Sequence, residues 1–217
     1  MPTFSDLSRA AYCPRQLYYA RRDDDRGPPP EVEARQALAF RYDELRTADD
    51  GTLADLPIEC SPPAYRDALE RLSTRADWER LCDPTERDYH VEGKDCHGRI
   101  HKLLAGEPPT PTVISPGTPP EQGVWEPQSV RAVAVANALA WERQREIPRA
   151  LVEYPAVGVV REVELTCRRT ATYRRVLRTV RSMDGPPPRV DDNRCESCEY
   201  RTECGVTTRS LRSLLGL

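Results

Sequence analysis

Apolar residues recur at three- and four-residue spacing over Glu31 to Thr47 and over Pro63 to Cys82, which predicts helices in both stretches. Residues 3–21 read as a further helix, followed by a charged turn from Arg21 to Pro30. Gly98 to Ala105 has the pattern of a strand. A proline-rich run from Glu107 to Pro127 follows, with Thr112 to Ser115 as a short strand inside it. Gln128 to Glu146 is apolar on almost every side at its centre, so a buried helix is expected. Leu151 to Tyr154 and Gly158 to Leu165 predict a hairpin. The last helix, Cys167 to Met183, sets Tyr173, Val176, Leu177, Val180 and Met183 on one face and arginines on the other. Gly185-Pro-Pro-Pro188 stops it. This order of elements predicts an α/β fold of the mixed α+β kind, a mixed sheet with helices packed around it.

Composition changes this picture little. A chain of 217 residues with 38% hydrophobic and 31% charged positions can bury a core, and it is read as one domain over 1–217. A formal charge of −3 gives no bulk attraction to nucleic acid. All basic residues but Lys94 and Lys102 are arginines. No segment has the order of a signal peptide or the length of a membrane span, so a cytoplasmic chain without membrane association is expected.

The eight cysteines change it more. Cys60, Cys82, Cys96 and Cys167 are scattered and are expected to be small buried apolar residues. Cys195-x2-Cys198-x5-Cys204 has the spacing of metal ligands, and Cys13, in Tyr12-Cys13-Pro14-Arg15, offers the fourth thiolate from far away in sequence. Soft thiolates suit iron–sulfur clusters or zinc, and in a reducing compartment clustered cysteines are ligands more often than disulfides. Such a site would join residues 1–22 to residues 184–217 in one lobe.

Three segments together carry a resemblance to a known family. They are Tyr12-Cys13-Pro14-Arg15-Gln-Leu-Tyr18-Tyr19, Gly98-Arg-Ile-His101-Lys-Leu, and Pro186-Pro-Pro188 leading into the cysteine tail. The chain resembles the CRISPR-associated RecB-like exonucleases, the "Cas four" family of the PD-(D/E)XK nuclease superfamily, over nearly its whole length. The resemblance implies a restriction-endonuclease-like core. It also implies a 4Fe-4S cluster on Cys13, Cys195, Cys198 and Cys204, for which structural zinc is the alternative, next to a groove for DNA. A nuclease of this type holds Mg²⁺ or Mn²⁺ on carboxylates and uses a lysine to help activate water.

The catalytic pattern breaks at each point. The family's Gly-x-x-Asp reads Gly98-Arg-Ile-His101, with His101 at the Asp position. Its Glu-x-Lys strand corresponds to Thr112-Val-Ile-Ser-Pro-Gly117, and no acid or lysine lies between Pro108 and Pro120. Its proline argues for a shortened or edge strand. Gln128 keeps the Gln of Gln-x3-Tyr, but Ala132 stands at the Tyr position, and the three histidines (His90, His97 and His101) all lie mid-chain. The expectation is a degenerate nuclease centre. Two substitutes are open: Glu92-Gly-Lys94 with Asp95 and an upstream Asp83 or Asp88, or a weak transition-metal site of Cys96, His97 and His101.

For DNA, single-stranded or with single-stranded ends, the candidate contacts are Arg168, Arg174, Arg175, Arg178 and Arg181 on the last helix, whose guanidinium forks suit phosphate. Arg15, Tyr18 and Tyr19 could clamp and stack a strand, though packing in the lobe is the alternative for the tyrosines. The leading expectation is an iron–sulfur DNA-binding protein that does not cleave and serves as a structural or targeting partner. By resemblance alone, that partner is a CRISPR integrase. The alternatives are an active Mn/Mg-dependent single-strand exonuclease with migrated catalytic residues, and a redox-sensing iron–sulfur protein.

Overall fold

The computed structural model describes residues 1–23, 27, 29–190 and 193–205. Part of the expected charged turn (24–26 and 28) and part of the expected cysteine lobe (191, 192 and 206–217) lie outside the described residues.

The first predicted helix is two. Helix α1 (Phe4–Tyr12) starts on a capping box in which Thr3 and Asp6 bond each other's backbone N–H groups. Helix α2 (Pro14–Ala20) begins one residue later. Pro14 keeps Cys13 out of the helical region, at φ −158° and ψ 113°, so Cys13 ends one helix and opens the next. The next segment is also more divided than expected, giving α3 (Pro30–Ala37), a 3-10 turn (Leu38–Phe40), α4 (Tyr42–Arg46), α5 (Asp50–Ala54), α6 (Pro62–Ser73) and α7 (Trp78–Cys82), with prolines opening α3 and α6.

The sheet has five strands in the order β1 (Glu86–Glu92), β2 (His97–Leu104), β3 (Thr110–Ile114), β4 (Arg149–Tyr154) and β5 (Val159–Glu164). Neighbours are antiparallel except β3 and β4, which run parallel and are joined by the long helix α8 (Glu126–Arg143). Strand β3 is short, as expected, but it is the central strand. Its Pro111 is tolerated because it lies before the β4 pairing starts, at Thr112 opposite Leu151. Helix α9 (Cys167–Arg181) then packs beside α8.

Two cores flank the sheet. On one side α1, α8 and α9 bury Phe4, Leu7, Val133, Leu139, Tyr173 and Leu177 with Val113 and Val152. On the other, α4 to α7 bury Tyr42, Leu45, Leu53, Leu69 and Leu81 with Leu104, Ile114 and Leu151. Among the described residues no helix is long and apolar enough to cross a membrane.

The alanine-rich middle of α8 lets other elements approach closely. A Cβ on Gly93, in the β1–β2 turn, would lie 2.5 Å from the Ala138 Cα. Gly93→Ala is therefore expected to cost about 1–3 kcal/mol, because backbone must shift to admit the methyl group. A urea midpoint equal to that of the wild type would refute this close approach.

Inside the second core lies an ion pair. Lys102 Nζ donates to Glu153 Oε2 at 2.8 Å, with both side chains fully buried. It also donates to the carbonyls of Ala39 and Leu81 and stands over the Tyr42 ring, while Thr112 donates its hydroxyl to Glu153 Oε1 at 2.6 Å.

Candidate cysteine centre and the closed strand site

Cys13, Cys195, Cys198 and Cys204 line one cavity of about 20 Å³, and each is half-buried. Burial pushes the Cys198 thiol up. The Tyr200 backbone counteracts it, and the other three thiols push it further, so all four sit within electrostatic reach. Among the described residues no carboxylate lines the cavity, whereas Arg15, Arg189 and Arg201 do. The donor set is therefore all sulfur, with cations around it to offset thiolate charge. Among the described residues no three His, Cys, Asp or Glu side chains stand at metal-ligating spacing. The four thiols thus share a cavity without forming a coordination shell. The fit to a soft metal is one of donor chemistry and location.

The sequences around Cys13 and Cys204 hold each other through tyrosines and arginines. Tyr19 donates its hydroxyl to the Glu203 carbonyl at 3.0 Å and stacks on Tyr200 at 5.8 Å. Arg15 donates to the Pro187 carbonyl at 2.7 Å and to Tyr19. Burial opposes its charge, but Tyr19 and the Cys204 thiol hold its pKa above the usual arginine value. Arg194 reaches the Tyr12 carbonyl, and Tyr18 stands edge-on to Tyr19 with Arg22 over its ring. The packing alternative weighed for Tyr18 and Tyr19 is the arrangement present, and Arg15 shares it.

His101, Ser115 and Gln128 lie close together, with Gln128 half-buried. His101 and Ser115 are buried, and Gln128 donates to the Ser115 hydroxyl at 3.3 Å. His101 Nδ1 accepts the Ile114 N–H at 3.1 Å, which leaves the proton on Nε2, a buried atom without a partner. Burial, then the charges of Arg131, Arg99 and Lys102, hold its pKa well below the ordinary histidine value, so the ring is neutral at pH 7.

Strand alternation slips here. Ile100 faces the first core and Lys102 the second, and Asp88, across from His101, takes φ 51° and drops out of the β1–β2 ladder. The Asp88 carboxylate is drawn to Arg99 at 3.5 Å.

The substitute catalytic residues stand elsewhere. Glu92 ends β1 and is exposed, on a strand where the sequence suggested a loop. Lys94 lies over the Trp141 ring, and Asp95 pairs with Arg181 at 2.7 Å, both in a groove at the far end of α8. Cys96 is buried against Tyr173, while His97 packs on His90, so Cys96, His97 and His101 do not form a ligand set. Cys167, expected to be buried, is exposed as the first residue of α9.

The arginine face of α9 is exposed. Arg175 is paired with Glu126 and Arg181 with Asp95, Arg178 bonds the Arg174 carbonyl, and Arg168 and Arg174 form no ion pair among the described residues. Sequence reasoning missed Arg131, Lys102 and Glu153. Arg131 did leave a signal, as the charged interruption in the apolar run of α8. No protein-family model matches this chain, and no curated protein matches it either.

Proposed function

We propose that this chain is a thiolate-metal DNA-binding protein on a RecB-like, PD-(D/E)XK nuclease core that does not cleave DNA. The observation that carries the reading is the strand site around His101. His101, Ser115 and Gln128 occupy it without a carboxylate among them, while Glu153 is held by Lys102 in the second core. A nuclease centre holds its hard divalent cation on carboxylates, and these three residues supply none. Support for the core comes from the succession of α1, the antiparallel β1–β2–β3 and a helix crossing over to a parallel β4. Support for the cysteine centre comes from its all-sulfur lining and its three arginines, which suit an anionic 4Fe-4S or zinc–thiolate group. The unpaired Arg168 and Arg174 offer phosphate contacts, and the CRISPR integrase remains the partner that the resemblance suggests.

The test is cleavage of single-stranded DNA with Mn²⁺ by anaerobically purified protein of measured iron, sulfide and zinc content. The expected result is salt-sensitive DNA binding without cleavage. Cleavage by the wild type that disappears in Glu92→Ala would replace this reading with that of an active exonuclease.

A further inference from the structure

A groove of about 1000 Å³ runs between α1, the first turns of α8 and α9. Among the described residues Arg9, Arg131, Arg175 and Arg194 line it, with Glu126 as the acid, which is held by Arg175 at 3.1 Å, while Arg194 is engaged with the Tyr12 carbonyl. Arg131 is the unusual member. Although part of its side chain reaches the groove, its Nε is shut from water and has no partner, and its guanidinium has no hydrogen bond or ion pair among the described residues. Burial, then Arg99, pulls its pKa down to about 10.

A half-buried guanidinium whose Nε is shut from water, with no anion beside it among the described residues, is suited to an anion that reaches it from the groove. The rest of the lining fits that anion. Arg9 is exposed and unpaired among the described residues, and a guanidinium fork matches phosphate oxygens in a bidentate way. Trp125 stands at the rim, 53% exposed, with its indole N–H fixed on the Thr118 carbonyl at 2.9 Å. Its free face is a stacking platform for a base.

We propose that this groove binds a phosphate group, with the Arg131 guanidinium as the charge that meets it. The phosphate belongs to a nucleic-acid strand or to a free phosphate compound; the first source rests on the DNA-binding function proposed above.

The experiment compares the melting temperatures of wild type, Arg131→Met and Arg131→Lys. Each is measured alone, with inorganic phosphate against chloride at equal ionic strength, and with short oligo-dT carrying or lacking a 5′-phosphate. Without ligand, Arg131→Met should melt no lower than the wild type, because it removes a half-buried charge that has no ion pair among the described residues. Phosphate and oligo-dT should raise the wild-type melting temperature. Arg131→Met should weaken both by about 10- to 100-fold in affinity, with Arg131→Lys intermediate. A lower melting temperature for Arg131→Met alone, with phosphate protection intact, would make the residue structural and overturn the proposal. Equal oligo-dT affinity in all three proteins would also overturn it while leaving DNA binding in place. Protection by phosphate but not by oligo-dT, lost in Arg131→Met, would uphold the groove and remove the nucleic-acid reading.

Discussion

Replacing Lys102 by Met should lower the stability of the chain by about 3–5 kcal/mol, the largest loss expected from a single side chain outside the cysteine centre. The ammonium has no exposure and its three donors are all used, on Glu153, Ala39 and Leu81. Methionine fills much of the same space, so the loss does not come from a cavity. It comes from Glu153, left as a carboxylate without exposure or counter-charge, with only the Thr112 hydroxyl on one oxygen. The Tyr42 hydroxyl, itself buried and without a hydrogen-bond partner, lies near enough that burial and then Glu153 raise its pKa well above the usual value. The double change Lys102→Met with Glu153→Leu should recover most of the loss, because two apolar residues replace the pair without leaving either charge alone. Urea midpoints at unchanged slope would read both results. A cost for Lys102→Met below about 1 kcal/mol would show that water reaches Glu153.

On the thiolate-metal reading proposed above, Cys198→Ala should have the second large effect, namely loss of metal together with loosening of both segments that line the cavity. Metal binding at a site absent from the unfolded chain is also folding energy, so several kcal/mol of stability should go with it. Cys167→Ala is the control, since this thiol is exposed and belongs to α9. Iron, sulfide and zinc contents after anaerobic purification, with melting temperatures, distinguish the outcomes. Iron with sulfide identifies a cluster and zinc alone a single ion. Wild-type metal content and melting temperature in Cys198→Ala would remove the cysteine centre from the account.

Much of the fold was legible because one face of each element is buried. Helix α9 buries Tyr173, Val176, Leu177 and Val180, the stripe that its spacing shows. The β4–β5 hairpin and the all-round burial of α8 follow their patterns in the same way. Strand β1 was not legible, because it is an edge strand whose residues are mostly exposed, with Val91 alone fully buried. Its polar run therefore looks like a loop. The Lys102–Glu153 pair was hidden for a different reason. A lysine in a strand pattern reads as solvent-facing, and its partner lies 51 positions later on a strand that is not adjacent. The slip at His101 was invisible too, since it depends on Asp88 of the neighbouring strand. That Cys13 shares a cavity with Cys195, Cys198 and Cys204 was foreseen only by asking what three closely spaced thiols lack.

The clasp between the first two helices and the cysteine tail also sets an order of events in synthesis. Arg15 and Pro187 are 172 positions apart, and Tyr19 and Glu203 are 184 apart. Phe4 and Leu7 belong to the core that α8 and α9 complete. A nascent chain must therefore hold these apolar side chains without those partners until α8 and α9 have emerged. Closing so long a loop carries an entropic penalty that grows only slowly with length, but it delays the contacts that reward it. Any group held by the four thiols would then arrive on an otherwise folded chain, and the last step of maturation would be a fastening.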